Sequence, residues 1–191
     1  MSGPKSYAYA QNEALLIVDM INDFVLEGAP LEVPDARKII PFIRERAEWF
    51  NSRKNPIMYI CDYHQRDDKE FFEYPPHALG GSLGACVVEE LNLNAIWNGN
   101  IACGDYKIRK SSFSGFFETD LDKMLQLERV ETVYITGVLT SVCVFATAID
   151  AKMRGYRVRV YQDGVADIPG ISGGSYFTLS QLRKNFKIEI V

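Results

Sequence analysis

Short apolar runs alternate with amphipathic stretches along nearly the whole chain. Compact apolar runs bounded by turn residues indicate strands buried on both faces, whereas apolar residues spaced three and four apart indicate helices. Strands that alternate with helices join through right-handed crossovers into a mostly parallel sheet. We therefore predict an α/β fold, a three-layer doubly wound structure with a mostly parallel six-stranded sheet and helices on both faces. The predicted strands cover residues 14–20, 57–61, 105–110, 132–138, 157–161 and 187–191, and the predicted helices cover residues 35–53, 85–91, 120–127, 141–154 and 175–186.

The first predicted helix, 35–53, contains a proline. Asp35 follows Pro34 and is a suitable N-cap residue. Pro41 has no N–H group to donate, so we expect the helix to kink there or to begin later than Asp35.

Length and charge restrict what the chain can bind. Its 191 residues suit one domain, 1–191, better than two. The net charge of -4 is spread along the chain and argues against nucleic acid as a partner. The apolar runs are too short to cross a bilayer, and residues 1–11 lack the apolar core of a signal peptide. We expect a cytoplasmic protein that binds neither nucleic acid nor membrane.

Polar residues stand at the ends of three predicted strands. Asp19 ends the first strand, Lys110 ends the third, and Cys143 follows the fourth and opens a helix. The carboxyl ends of parallel strands share one edge of a sheet, where ligands bind, so we expect these side chains to converge. The helix dipole and a nearby Lys110 would both favour the thiolate of Cys143. The alternatives are a structural buried cysteine, an aspartate that caps a turn and a solvated lysine.

The other cysteines are Cys61, Cys86 and Cys103. None of them forms a Cys-x-x-Cys pair, which argues against a zinc ribbon or a thioredoxin-type site. We expect most of them to be small buried hydrophobic residues.

Three sequence motifs resemble those of the isochorismatase-like cysteine hydrolases. The sequence Asp-Met-Ile-Asn-Asp-Phe at residues 19–24 resembles their Asp-Met-Gln-Asn-Asp-Phe motif. Lys-Ser-Ser-Phe-Ser-Gly-Phe at residues 110–116 is similar to their Lys-x-x-Tyr/Phe-Ser-Ala-Phe motif. Gly-Val-Leu-Thr-Ser-Val-Cys-Val at residues 137–144 matches their Gly-Val-x-Thr-x-x-Cys-Val turn. The departures, Ile21 for Gln and Gly115 for Ala, remove no catalytic group.

The resemblance implies a catalytic triad of Asp19, Lys110 and Cys143. It further implies that the backbone N–H groups of Leu139 and Cys143 hold the oxyanion, next to a cis peptide bond between Val138 and Leu139. The same resemblance places Phe24, Tyr74 and Val138 in the substrate pocket, with the two aromatic rings enclosing a flat substrate.

A cluster of metal-type ligands follows the second predicted strand. Residues two apart on an extended segment point to the same side, so Asp62 and His64 can face one metal ion, and His77 can close the site. This spacing is similar to the Asp-x-His…His site of nicotinamidases, some of which have a fourth ligand where Glu70 lies. We expect one divalent metal, zinc, iron or manganese. The alternative is that both histidines only form local hydrogen bonds in a loop.

The motif pattern is most similar to that of the nicotinamidases and pyrazinamidases. It implies a cysteine-dependent amidase that hydrolyses a small, nicotinamide-like amide to acid and ammonia through a thioester. One alternative is a metal-free hydrolase of an N-carbamoyl or other small amide, similar to N-carbamoylsarcosine amidase. Another is a catalytically idle relative that only binds. The resemblance also implies a homodimer or a homotetramer.

Overall fold

One parallel sheet organises the structure. The computed structural model describes residues 12–92, 107–170 and 173–191. Its six strands lie in the order β3-β2-β1-β4-β5-β6, and every neighbouring pair is parallel. This confirms the predicted α/β class and all six predicted strand positions, although residues 105 and 106 lie outside the described residues. The strands are β1 (Glu13–Val18), β2 (Ile57–Asp62), β3 (Lys107–Lys110), β4 (Thr132–Gly137), β5 (Arg157–Val165) and β6 (Glu189–Ile190).

Helices cover both faces of this sheet. Alternate residues of β1 enter different cores: Leu15 and Ile17 pack on one side, and Leu16 and Val18 on the other. Helices α1 and α2 contribute to the first core, and α3, α4 and α5 to the second. The predicted three layers are therefore present. The helices are α1 (Asn22–Val25), α2 (Ala36–Ser52), α3 (Leu121–Leu127), α4 (Phe145–Met153) and α5 (Gly174–Phe186).

Helix α2 starts at the predicted position and not later, as Pro41 could have required. Asp35 stands at the N-cap position, but its carboxylate makes no capping hydrogen bond and instead lies 2.6 Å from Lys38 Nζ. The helix runs through Pro41 without interruption. Burial of Ile39, Ile40 and Ile43 on the sheet stabilises the segment despite the missing N–H group.

Two other helical predictions need correction. Residues 85–91 were expected to form a helix, but only a 3₁₀ turn, Glu89–Leu91, forms there. The predicted helix 141–154 begins instead as a π-helical turn, Thr140–Val144, which continues into α4. Wider turns of this kind are frequent at functional sites.

The prediction that most of the other cysteines are small buried hydrophobic residues holds for Cys61 but not for Cys86. Cys61 is a buried thiol in β2, as expected. Cys86 is half-buried and disulfide-bonded, which corrects the expectation. Cys103 lies outside the described residues. In the described parts of the chain, no helix has the length and apolar character needed to cross a bilayer.

The strand order changes direction between β1 and β4. The chain proceeds outward from β1 to β2 and β3, then returns to the other side of β1 with β4. Ligand sites of open parallel sheets lie at such a switch point, beyond the carboxyl ends of the strands. Gly137 ends β4 there with a φ of 112°, and a Cβ atom added to it would lie 1.9 Å from the carbonyl oxygen of Val18. The close approach of β1 and β4 therefore requires glycine.

Replacing Gly137 with alanine should destabilise the fold by about 3 kcal/mol or more, because the methyl group would collide with backbone. Gly155→Ala is the matched control: its φ is 94°, but nothing lies within 4 Å of an added Cβ. The control should cost about 1–2 kcal/mol, the conformational penalty alone. Urea unfolding of both variants measures the difference, and equal losses would contradict the close-approach argument.

Candidate active site

The carboxyl edge of the sheet brings together four buried polar side chains. Asp19 follows β1, Asp62 ends β2, Lys110 ends β3, and Cys143 lies in the π-helical turn after β4. Each is less than a tenth exposed. The convergence expected of Asp19, Lys110 and Cys143 is thus present in the structure, and Asp62 joins them.

Lys110 is the centre of this group. Its Nζ lies 2.8 Å from Asp19 Oδ2 and 3.5 Å from Cys143 Sγ, and it also forms an ion pair with Asp62 Oδ1. The backbone N–H of Asp62 donates to Asp19 Oδ1 at 2.8 Å. One ammonium group therefore contacts two carboxylates and the thiol.

Asp19 reaches this position through an unusual backbone conformation. Its φ is 53°, in the left-handed region that non-glycine residues seldom adopt. Its N–H donates to Ile60 O at 2.8 Å, which holds the chain against β2 just past the end of β1. Strained residues of this kind cluster at functional sites.

Burial is the largest single influence on the pKa of each of these four residues. Burial and the charge of Asp62 raise the pKa of Asp19 to about 6, although Lys110 opposes this shift. Burial would also raise the pKa of Asp62, but Lys110, His64 and His77 outweigh it and hold that pKa well below its usual range. The two carboxylates outweigh the burial of Lys110 and raise its pKa, so the ammonium is retained.

The thiol behaves differently from the sequence-based expectation. Burial raises the pKa of Cys143 well above its usual value; Lys110 lowers it, but Asp19 and Asp62 raise it further. These shifts oppose the expected preference for thiolate. With its pKa raised, Cys143 needs a base to lose its proton, and Asp19 is the neighbouring carboxylate.

Backbone contacts fix the turn that carries Cys143. Thr140 N–H donates to Ala166 O at 2.9 Å, and the buried Asp167 accepts from both the N–H and the hydroxyl of Ser141 at 3.0 Å. The Val138–Leu139 peptide bond is cis, as the resemblance implies. Leu139 N–H has no acceptor among residues 12–92, 107–170 and 173–191.

The predicted metal ligands also meet. Asp62 Oδ2 lies 3.8 Å from His64 Nε2 and 3.7 Å from His77 Nε2, and Glu70 Oε1 lies 3.8 Å from His77 Nε2. His64 Nε2 is buried and has no hydrogen-bond partner. The two imidazole nitrogens and one carboxylate oxygen of Asp62 lie within 4.8 Å of one another and form a donor set that suits a divalent ion, with Glu70 next to His77. The orphaned His64 nitrogen shows that these residues fit such an ion.

The outer nitrogen of each histidine has an acceptor. His77 Nδ1 lies 2.8 Å from Pro75 O, and His64 Nδ1 lies 2.9 Å from Asp68 Oδ2. Because both partners accept only, each Nδ1 carries the hydrogen. Burial would lower the pKa of His64, but Asp62 and Asp68 outweigh it and raise that pKa to about 9, which shows how strongly this pocket attracts positive charge.

Aromatic rings surround the two histidines. The Phe24 ring is centred 5.5 Å from that of His77, as its predicted pocket position requires. Phe71 lies 5.5 Å from the His64 ring and 5.6 Å from the His77 ring. Tyr74, the other predicted aromatic wall, is 40% exposed, whereas Val138 is fully buried. Phe71, which the sequence analysis does not place in the pocket, thus contacts both histidine rings.

Sequence reasoning missed three residues of this site. Phe71 stands in an aromatic-rich loop without a recognisable motif. Asp68 is four residues after His64 and two before Glu70, a spacing that signals a contact only once the 3₁₀ turn Lys69–Phe72 is known. Asp167 follows β5 and contacts a turn far away along the chain, so local sequence gives no signal for it.

Comparison with known proteins gives a consistent result. Residues 13–186 match the isochorismatase domain family. A protein of Arabidopsis thaliana named a probable inactive nicotinamidase is 34% identical over 166 residues, which are 82% of this chain and 81% of that protein. A Pyrococcus horikoshii pyrazinamidase structure in complex with zinc has 32% identity and a TM-score of 0.80, covering 94% of this chain and 98% of that one. N-carbamoylsarcosine amidase from Thermoplasma acidophilum has 30% identity and a TM-score of 0.78, covering 93% and 94%.

Alkylation should test the state of the thiol. Brief iodoacetamide treatment at neutral pH should label Cys143 before Cys61, because Cys143 lies beside Asp19 and Lys110 at the strand ends. Since the pKa of Cys143 is raised, its labelling rate should keep rising from about pH 7 to about pH 9. Mass-spectrometric mapping gives both rates, and Cys61→Ala should leave the Cys143 rate unchanged. Preferential labelling of Cys61, or a rate independent of pH, would contradict this account.

Proposed function

Because the chain belongs to the isochorismatase family, we propose that it is an amidase that hydrolyses a small uncharged amide to a carboxylic acid and ammonia. The observation that carries this proposal is the contact of Lys110 Nζ with both Asp19 and Cys143 at the sheet edge. A nucleophile, a base and a cation within contact distance form the arrangement that covalent amide hydrolysis needs.

The first step is proton transfer from Cys143 to Asp19. With a pKa of about 6, Asp19 is largely ionised at neutral pH yet basic enough to accept the thiol proton. The sulfur then attacks the amide carbonyl carbon. Lys110 stays charged. Its ammonium group offsets the negative charge while that charge moves from the Asp19 carboxylate to the Cys143 sulfur.

The oxyanion that forms needs hydrogen-bond donors. We assign this role to the backbone N–H groups of Leu139 and Cys143. The N–H of Leu139 has no competing acceptor in the described parts of the chain. Asp167 and Ala166 hold the turn in place through Ser141 and Thr140, so that the donors are already oriented.

Asp19 takes part in the remaining proton transfers, first as a proton donor and then as a proton acceptor. It protonates the amide nitrogen, and the carbon–nitrogen bond breaks. Ammonia is released, and the acyl group remains bound to Cys143 as a thioester. Asp19 then removes a proton from water, the oxygen attacks the thioester, and the carbon–sulfur bond breaks. The thiol regains its proton and the acid product is released, which restores the starting state.

A divalent metal fits the adjacent donor set. Asp62, His64 and His77, with Glu70 as a fourth ligand, would hold it. The bound ion would supply a Lewis-acidic position for a substrate atom or an ordered water. The pyrazinamidase of P. horikoshii was solved in complex with zinc, which supports the same class of ion here.

Charge and shape favour a neutral, flat substrate. Beside the thiol, the carboxylates of Asp19 and Asp62 face a single ammonium group, so an anionic group next to Cys143 would be repelled. Phe24 and Phe71 offer aromatic surface on the metal side of the pocket. A nicotinamide-like ring amide meets both conditions.

A second candidate is hydrolysis of an N-carbamoyl amide without a metal. The similarity to N-carbamoylsarcosine amidase supports it. The donor set around His64 Nε2 favours the metal-dependent reaction instead. A catalytically idle protein is the third candidate, since one relative is named inactive, and the contacts of Cys143 with a base and a cation speak against it.

Ammonia release over nicotinamide, pyrazinamide and N-carbamoyl amides tests the proposal. The protein should release ammonia from at least one ring amide, and Cys143→Ala should reduce kcat by at least about a thousandfold, because the nucleophile is lost. Cys61→Ala, which removes the other buried thiol, should retain activity. Turnover confined to N-carbamoyl amides would favour the second candidate, and no turnover of any amide would favour the third.

Removal of one histidine tests the metal assignment. His64→Ala should lower bound metal, measured by elemental analysis, and should weaken binding of a pyridine-type amide by about tenfold or more. Alkylation of Cys143 should persist, because Lys110, which contacts the thiol, is unchanged. Gln65→Ala, at an exposed neighbouring position, is the control. Full metal content and unchanged kinetics in His64→Ala would contradict the assignment.

A further inference from the structure

One side chain outside the donor set contacts two of its members. Asp68 Oδ2 lies 2.9 Å from His64 Nδ1, and Asp68 Oδ1 accepts from the backbone N–H of Glu70 at 3.0 Å. Its two oxygens are thus divided between the two candidate ligands. Asp68 forms no ion pair with lysine or arginine in the described parts of the chain, so no cation competes for its carboxylate.

We propose that Asp68 is a positioning residue for the metal site, which fixes His64 and Glu70 together and raises the affinity for a divalent ion. This inference rests on the metal site of the proposed function and concerns how that site is built. It needs no contact between Asp68 and the substrate.

The contact with His64 selects which ring nitrogen can bind. A carboxylate at Nδ1 keeps the hydrogen on that nitrogen, so the neutral ring, which is the form that binds a metal, has its lone pair on Nε2. This is the buried atom without a hydrogen-bond partner, 3.8 Å from Asp62 Oδ2. A carboxylate behind a histidine ligand also orients the ring and increases its basicity.

The contact with Glu70 positions the second ligand through the backbone. Asp68 caps the 3₁₀ turn Lys69–Phe72 by accepting the N–H of Glu70. The turn directs Glu70 Oε1 to within 3.8 Å of His77 Nε2. Loss of the cap would release the backbone that carries this carboxylate, while His64 would lose its charged partner at the same time.

His77 provides an internal comparison. Its Nδ1 has a neutral acceptor, Pro75 O, at 2.8 Å. The two histidines are therefore held by different partners, one charged side chain and one backbone carbonyl. Substitution of Asp68 should affect His64 and leave the environment of His77 in place.

Zinc titration of the full-length, metal-stripped protein against a competing chelator tests the inference. Asparagine and serine both cap helical turns, so Asp68→Asn and Asp68→Ser keep the cap on Glu70 while removing the carboxylate from His64. Each variant should bind zinc about 10–100-fold more weakly than the wild type. Asp67→Asn makes the same change of charge at an exposed neighbouring position and should stay within about twofold of the wild type.

A spectroscopic readout separates positioning from general loss of structure. The chain has two histidines, so their side-chain nitrogen signals in the zinc-loaded protein are readily distinguished by NMR. In Asp68→Asn the signals of His64 should shift, and those of His77 should not. Should this variant fail to fold, Asp68→Ser provides the same comparison.

The outcomes distinguish this inference from the function on which it rests. Wild-type affinity for zinc in both variants, or equal shifts of both histidines, would overturn the role of Asp68 and leave the amidase proposal intact. A wild-type protein that binds no zinc would overturn the metal site and the role of Asp68 together. Ammonia release by the wild type, measured in parallel, reports on the amidase itself.

Discussion

A single buried ammonium group holds the ends of three strands together. Lys110 contacts Asp19 and Asp62 where β1, β2 and β3 terminate, and none of these side chains is open to solvent. A buried charge costs several kcal/mol unless it is paired, so each member of the group requires the others. The pairing is also incomplete, since two carboxylates face one ammonium. Burial and this excess of negative charge together raise the pKa of Asp19 to about 6. The same excess would favour a cation at this edge of the sheet.

Asp62 connects the proposed nucleophile with the proposed metal site. Its Oδ1 pairs with Lys110, and its Oδ2 faces both histidines. A cation on the Oδ2 side would offset the charge that Asp62 imposes on Asp19 and on the thiol. The two halves of the site are therefore electrostatically dependent even though they use different atoms. A metal ion bound there would influence the pKa of the thiol without contacting it.

The sheet and the main site residues could be predicted because their signals are local. Buried parallel strands appear as short apolar runs, and Asp19 and Lys110 stand at the ends of such runs. Features that depend on contacts distant in sequence could not be predicted. Asp167 reaches Ser141 from the segment after β5, Phe71 contacts the histidines through the fold of a loop, and the continuation of α2 through Pro41 is stabilised by packing on the sheet. The raised pKa of Cys143 is a further example, because burial and two carboxylates distant in sequence outweigh Lys110.

Family membership alone does not establish activity, since one relative with 34% identity is named inactive. The pKa values of Asp19 and Cys143, taken together, support catalysis by this chain more strongly. A protonated thiol is a weak nucleophile, so it needs a base with a pKa near neutrality to accept its proton. Asp19 has such a pKa because of its burial and because Asp62 lies close by, while Lys110 keeps it charged enough to act. One oxygen of Asp62 pairs with Lys110, which contributes to the structure, whereas its Oδ2 faces two histidines. We infer that the proposed reaction and the proposed cation site together account for the cost of burying Asp62 next to Asp19.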